Sequence, residues 1–422
     1  MSSNSSGSPD QIESASDFTV AGDMRLNSRF HQREEYTKMK MLKKAARTAL
    51  MSTAVAIALA AIGTSAAQSS EVKLNSWLGP THPLNTGGYV PFIETMEAEG
   101  NGDIDFRLFL GGSLLDSRGT LPGIRDNVVE GGFVVLSFHP AEFPAMTTFS
   151  DLSMVGTDSL TAAAAVTETI LLHCEPCEAE AKAQNFLFFG AYATTAYNIM
   201  SSKPVNSLAD MQGKKVRSFG GAIDRWLSSL GAVAVNVDAT HAYDGLSKNT
   251  LDAVMLPVAD LSAYNLWDVA PYVTLLNVGS FKADSSVGFS RDFWKGLTAE
   301  QRALMLKNAP IMAIGPGLDY IKNDEKVVGE AGAKNVTLIA PTDEMKQGLA
   351  NFFEADKSAI LAAASKRGVK EADTQAIVDT YVELLAKYET LFEGKRDDPQ
   401  ALYDILYQEV YAKLDPNTFG LD

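Results

Sequence analysis

Residues 208–232 read "LADMQGKKVRSFGGAIDRWLSSLGA". A turn at Gly213 leads into a short strand through Val216 and Phe219. Gly220 and Gly221 then make a corner, and the apolar stripe of Trp226, Leu227 and Leu230 predicts a helix. "AVAVNV" (232–237) supplies a second strand, so the stretch is a β-α-β unit. One residue breaks the pattern. Arg217 stands inside the short strand, where its side chain faces either water or a cleft.

The same alternation runs outward in both directions. "VKLNSWLGPTHPLN" (72–85) predicts a strand ending in a loop, and "IDFRLFL" (104–110) predicts a second strand. "FVVLSFHP" (133–140) is a continuous apolar run of the kind buried on both faces of a parallel sheet. Helical patterns separate them, which predicts an α/β sheet with right-handed crossovers. Residues 160–185 read as helix, and "FLFFGAYATTAYNIMSS" (186–202) reads as a strand pair or a strand crossing between domains. After "LDAVMLP" (251–257), the text from Asp260 to Phe281 contains a strand placed to return to the first sheet. Helices follow at 298–325, 343–366 and 371–395. The expected fold is α/β and bilobed, like a periplasmic binding protein, with a ligand cleft and crossing helices. Lobe I takes 71–194 and 280–330, lobe II takes 195–279 and 331–395, and 396–422 adds a helical extension.

The front of the chain is of another kind. Lys40, Lys43, Lys44 and Arg47 precede an apolar run from Leu50 to Ile62, then Ser65-Ala66-Ala67-Gln68. That is the charged, apolar and small-residue order of a secretory signal peptide, expected over 39–68. Residues 1–38 are polar and aperiodic, expected as a non-native or disordered extension, with translation starting at Met1, Met39 or Met41. The expected destination is the periplasm. No later stretch is apolar for long enough to span a bilayer.

The formal net charge is −16. Such an acidic surface disfavours nucleic acid and anionic membranes as partners. The two cysteines, Cys174 and Cys177, form C-x-x-C in "LLHCEPCEAE". Redox, zinc and structural readings are all open to that spacing. Zinc lacks two further ligands nearby, and the aromatic flank of a redox pair is missing, so a structural disulfide beside Pro176 is favoured. No metal site or cofactor is expected.

Taken together, Leu208-Ala209-Asp210 with Gln212-Gly213-Lys214-Lys215-Val216-Arg217, then Leu230-Gly231-Ala232, Tyr243-Asp244-Gly245-Leu246 and Leu251-Asp252, resemble one family's signature. It is that of the DctP-like solute-binding proteins of tripartite ATP-independent periplasmic (TRAP) transporters. "LSFHPAEFP", "YNIMSSKPV" and "GFSRDFWKGLTAEQRALM" extend the resemblance over residues 71–395. The resemblance implies a periplasmic protein that closes two lobes on a small organic acid and delivers it to membrane subunits. It implies that Arg217 pairs with the ligand carboxylate, a role for which a planar guanidinium is suited. Where many relatives carry an asparagine, Leu256 stands here. Tyr197 lies where they carry a second arginine, so the expected ligand is a monocarboxylate with an apolar or aromatic body.

Other cleft candidates each have two readings. Trp77 ends the first strand and faces either the cleft or the core. His82, in "GPTHP", either donates to a carboxylate or caps backbone. Phe138 closes the third strand over the ligand. Asp260 and Tyr264 either hydrogen-bond a ligand hydroxyl or serve the helix they begin. No G-x-S-x-G, H-E-x-x-H or P-loop occurs, so an exported enzyme is the weaker reading. A sensor or chaperone module feeding a signalling receptor is the alternative of the same fold. The protein is expected as a monomer or a dimer.

Overall fold

The computed structural model describes residues 71–100, 102–282 and 284–422. The expected signal peptide and the extension before it lie outside the described residues. Residues 69–422 form one compact unit, with two sheets. Strands β1 (Val72–Ser76), β2 (Phe106–Leu110), β3 (Gly131–Val135), β4 (Phe186–Phe188) and β10 (Asp284–Ser290) make the first, in the order β2-β1-β3-β10-β4. Strands β5 (Asn198–Ser201), β6 (Lys215–Ser218), β7 (Val233–Asn236), β8 (Ala253–Leu256), β9 (Tyr272–Thr274) and β11 (Thr337–Ile339) make the second, in the order β11-β9-β5-β8-β6-β7. β1 runs parallel to both its neighbours, and so does β6. This is the α/β bilobed architecture that the β-α-β alternation predicts.

Two details differ from expectation. The strand in "PYVTLL" does not return to the first sheet: β9 pairs with β5 and β11 in the second. The return is made by β10, "DSSVGFS", which inserts antiparallel between β3 and β4 with every residue buried. Its small residues are a packing requirement. A Cβ on Gly288 would sit 2.0 Å from the Phe186 ring. Phe138 does not end a strand either. The ladder between β3 and β10 stops at Val135–Asp284, and the chain then turns through a short 3-10 helix, Leu136–Phe138.

The segments that pass between the sheets pair with each other. Tyr197 N–H donates to Gly279 O at 2.6 Å, Val278 N–H to Tyr197 O at 2.9 Å and Thr194 N–H to Phe281 O at 3.0 Å. Beside them Lys282 is buried, and its Nζ donates to the carbonyls of Val155 (2.7 Å) and Gly156 (2.6 Å). The helix Ala299–Glu330, opened by a capping box between Thr298 and Gln301, is buried along its middle. The helix Glu371–Phe392, placed with lobe II on sequence, packs along Ser159–His173, where Lys387 and Tyr388 both bond Glu168. The extension's helix, Pro399–Glu409, docks on Ala299–Glu330.

Cys174 and Cys177 are disulfide-bonded across the break between the helices Ser159–His173 and Glu175–Ala183. No described helix is long and apolar enough to cross a membrane.

A buried charge cluster fastens the glycine-corner helix, Gly221–Ser229, to its surroundings. Arg225 grips Asp356 through Nε (2.8 Å) and Nη2 (2.7 Å), and reaches Asp151 through Nη1 (2.5 Å). Arg367 Nη2 lies 2.8 Å from the other Asp151 oxygen, close enough for an ion pair though not aligned as a hydrogen bond. The Asp151 side chain is 2% exposed. Removing one member of a buried charge set strands its partners and typically costs about 3–5 kcal/mol. Asp151→Ala is therefore expected to lower unfolding stability by that order, read as a falling urea midpoint.

Candidate functional site

Three parallel strands, β8-β6-β7, end side by side, and Arg217 lies near the end of the middle one. Its backbone pairs with Val235 and Val254, while its side chain runs across the strand ends. Nε donates to Val237 O at 3.0 Å and Nη1 to Met255 O at 3.1 Å. Arg217 is 4% exposed. Two N–H groups are thus held by carbonyls, which fixes the plane of the fork and leaves its other edge for the cavity that Arg217 lines. The corner after it explains the glycine pair. Gly221 has φ of +63°, and a Cβ there would stand 2.0 Å from Ser150 O. No other residue fits that approach between helix start and neighbouring backbone.

The cavity lies between the lobes and is small, about 30 Å³. Arg217, Trp77, His82, Phe138, Tyr197, Leu256 and Asp260, singled out by sequence, all line it. Trp77 follows β1, Phe138 ends the short 3-10 turn after β3, Arg217 and Leu256 lie at strand ends of the second sheet, and Tyr197 comes from a crossing segment. Asp260 opens the short helix Asp260–Ala263. Apart from half-buried Tyr264, every lining residue is buried. Ser117 Oγ donates to Asp238 Oδ2 at 3.0 Å, a contact between the two lobes.

Sequence reasoning missed much of the aromatic wall. Phe133, Tyr192, Phe219, Phe281 and Tyr320 also line the cavity. Trp77 stacks on Phe133 with ring centroids 5.1 Å apart, and Phe219 meets Tyr197 and Phe281 edge-on at 5.1 and 5.3 Å. Phe219, two residues past Arg217, was legible as strand core, and Tyr320 as the buried stripe of a long helix. Only the assembled topology turns them toward one space.

The polar groups form an ordered chain. His82 Nδ1 accepts the Leu84 N–H at 3.1 Å, and burial lowers the His82 pKa to about 3. The ring is therefore neutral with its proton on Nε2, which donates to Tyr320 Oη at 3.0 Å. The Tyr320 hydroxyl in turn neighbours the Asp260 carboxyl and favours its ionised form. Both ring nitrogens of His82 are thus taken by the protein itself. Burial, the neighbouring Asp324 carboxylate and, in opposition, Arg217 act on Asp260, and the net effect pushes its pKa well up. Asp260 Oδ1 and Trp77 Nε1 are buried with no hydrogen-bond partner among the described residues. Also among the described residues, no group of His, Cys, Asp or Glu is arranged to hold a metal ion.

The sequence profile of the DctP family, the bacterial extracellular solute-binding proteins of family 7, matches residues 74–362. "Outer membrane transporter protein TsaT" of Comamonas testosteroni is 24% identical over 312 residues, covering 72% of this chain and 89% of that protein. Among solved structures, a TRAP periplasmic solute-binding protein from Bordetella bronchiseptica with bound (R)- and (S)-mandelate superposes with a TM-score of 0.65 at 22% identity. It covers 76% of this chain and 99% of its own. A TRAP solute-binding protein from Rhodoferax ferrireducens with copurified benzoate gives 0.67 at 17% identity, with the same coverage. One from Desulfovibrio salexigens with bound orotic acid gives 0.63 at 17%, covering 75% and 99%. At these identities the likeness is one of fold.

Tyr320→Phe removes the hydroxyl that joins His82 to Asp260. A buried donor left unpaired costs about 1–3 kcal/mol, so the variant is expected to lose that much stability with an unchanged far-UV spectrum.

Proposed function

The chain belongs to the bacterial extracellular solute-binding proteins of family 7, and from that membership we propose that it captures a small monocarboxylic acid with an aromatic or apolar body. Arg217 takes the carboxylate, and closure of the lobes buries the rest. One observation carries the reading. Arg217 is the one cation among the described residues lining a cavity whose wall is more than half aromatic. A carboxylate against that fork gains two parallel charge-assisted hydrogen bonds in a dry site. Rings such as Trp77, Phe138 and Phe281 reward an apolar body and offer nothing to a second charge. Mandelate- and benzoate-bound neighbours of the same fold support the class of acid. Leu256, at the end of β8 opposite Asn198, adds another apolar contact surface.

The biological role that follows is that of the periplasmic receptor of a TRAP transporter, binding in the open form and handing the acid to membrane subunits from the closed one. Among exported proteins of this fold a sensor would bind the same ligand, and co-purification with the small and large membrane subunits separates the two.

The site is tested by a thermal-shift panel of benzoate, mandelate, phenylacetate, succinate and malate. Aromatic monocarboxylates are expected to raise the melting temperature and the polar diacids to leave it unmoved. Arg217→Ala is expected to remove the shift, a loss of about 2–5 kcal/mol in binding, while urea unfolding shows the variant still folded. Stabilisation by the diacids alone, or normal binding by Arg217→Ala, sinks the reading.

A further inference from the structure

We propose that Asp260 enters the closed site as a neutral carboxylic acid and donates a hydrogen bond to the bound anion, so that ligand capture takes up one proton. The inference rests on the reading that a carboxylate sits at Arg217.

Charge balance is the first ground. Asp260 is 2% exposed and shares its surroundings with Arg217 and Asp324. Tyr320 and Asp324 stand one turn apart on the helix Ala299–Glu330, so both reach Asp260 from one face. Asp324 Oδ1 already accepts the Ala259 N–H at 2.6 Å, and burial raises its pKa to about 6. The other groups facing Asp260 are the hydroxyls of Tyr192, Tyr197 and Tyr264, all pushed upward by burial and therefore neutral. His82, reached through Tyr320, is neutral too. A ligand carboxylate thus adds an anion beside Asp260 and its single guanidinium, with Asp324 already next to Asp260. Like charges this close in a dry site do not all ionise, and one keeps its proton.

The direction of the hydrogen bonds is the second ground. Leu84 N–H donates to His82 Nδ1 and His82 Nε2–H to Tyr320 Oη, which leaves the Tyr320 hydroxyl proton free to turn toward the neighbouring Asp260 carboxyl. Its remaining oxygen, Oδ1, is buried without a partner among the described residues. A protonated carboxyl accepting from Tyr320 has its own O–H free to continue the chain, and a carboxylate bound at Arg217 is the acceptor that completes it. In the open cleft the same side chain faces water and ionises near its ordinary pKa. The proton therefore arrives with closure and bonds to Asp260, with no other bond made or broken.

The sign of the pH dependence follows. The closed complex holds one proton more than the open protein plus ligand, so affinity falls as pH rises above the open-state pKa, by up to about tenfold per pH unit. Calorimetry with benzoate at neutral pH, in phosphate and in Tris, reads the proton directly from the difference in heat. The wild type is expected to take up about one proton per benzoate, and Asp324→Asn to take up the same. Asp260→Asn, whose amide donates without titrating, is expected to bind with uptake near zero and an affinity flat in pH. No uptake by the wild type, undiminished uptake by Asp260→Asn, or uptake abolished by Asp324→Asn each overturns the proposal. Should Asn at this position prevent binding, the Asp324→Asn arm assigns the proton by itself. Carboxylate binding that survives Arg217→Ala instead strikes the functional reading, whatever the proton count.

Discussion

The cavity is organised around keeping one guanidinium charged away from water. An isolated buried cation costs far more than a small domain can spare. Arg217 meets that constraint with main-chain oxygens. The carbonyl of Met255 near the end of β8 and that of Val237 just beyond β7 lie where the parallel ladder stops drawing on them. The strand order β8-β6-β7 is therefore part of the site, because only a middle strand has carbonyl-bearing ends on both sides. The half of the fork not used by the backbone is left to the cavity, and its orientation is fixed by the protein alone.

That cation is buried between the lobes, and the crossing segments run from one lobe to the other beside it. They carry Tyr192, Thr194, Tyr197 and Phe281 into the cavity wall while hydrogen-bonding to each other backbone to backbone. Lys282, next to Phe281, is tied to the carbonyls of Val155 and Gly156, and burial lowers its pKa to about 7. The same short stretch thus lines the cavity and is anchored to the first lobe. On the reading proposed above, a ligand pressing on Phe281 or Tyr197 would act on the segments that join the lobes, and so couple occupancy to closure without a separate relay.

Much of this was legible in the sequence, for identifiable reasons. The β-α-β alternation and the glycine corner announce the fold because the period of the apolar residues changes between strand and helix. Arg217 stood out because a charge inside a short strand needs a partner. What escaped were features set by tertiary packing. β10 is written in Asp, Ser and Gly, residues of low strand propensity, because Phe186 occupies the space above Gly288. Its central position overrides local preference. The strand in "PYVTLL" was open to a return to the first sheet, because one strand's pattern does not name its neighbour, and it pairs in the second. Tyr320 lies some hundred residues from Arg217 along the chain, and a buried tyrosine on a long helix carries no local mark of facing a cleft. His82 was readable as a loop histidine, but its neutrality follows from burial and from its two partners, which sequence does not contain.

Selectivity in such a site comes as much from what it leaves unpaired as from what it contacts. An acid with one carboxylate satisfies the free edge of Arg217 and gives its apolar remainder to the aromatic wall, at roughly 25 cal/mol for each Å² removed from water. A second carboxylate has no further cation among the described lining residues to meet it, and Asp260 already sits beside the one cation present. Burying that second charge unpaired costs several kcal/mol, more than any added contact to a ring returns. If the proposed ligand is right, the aromatic wall and the solitary arginine act as one filter: apolar area sets how tightly a fitting acid is held, and the missing second cation sets which acids are refused.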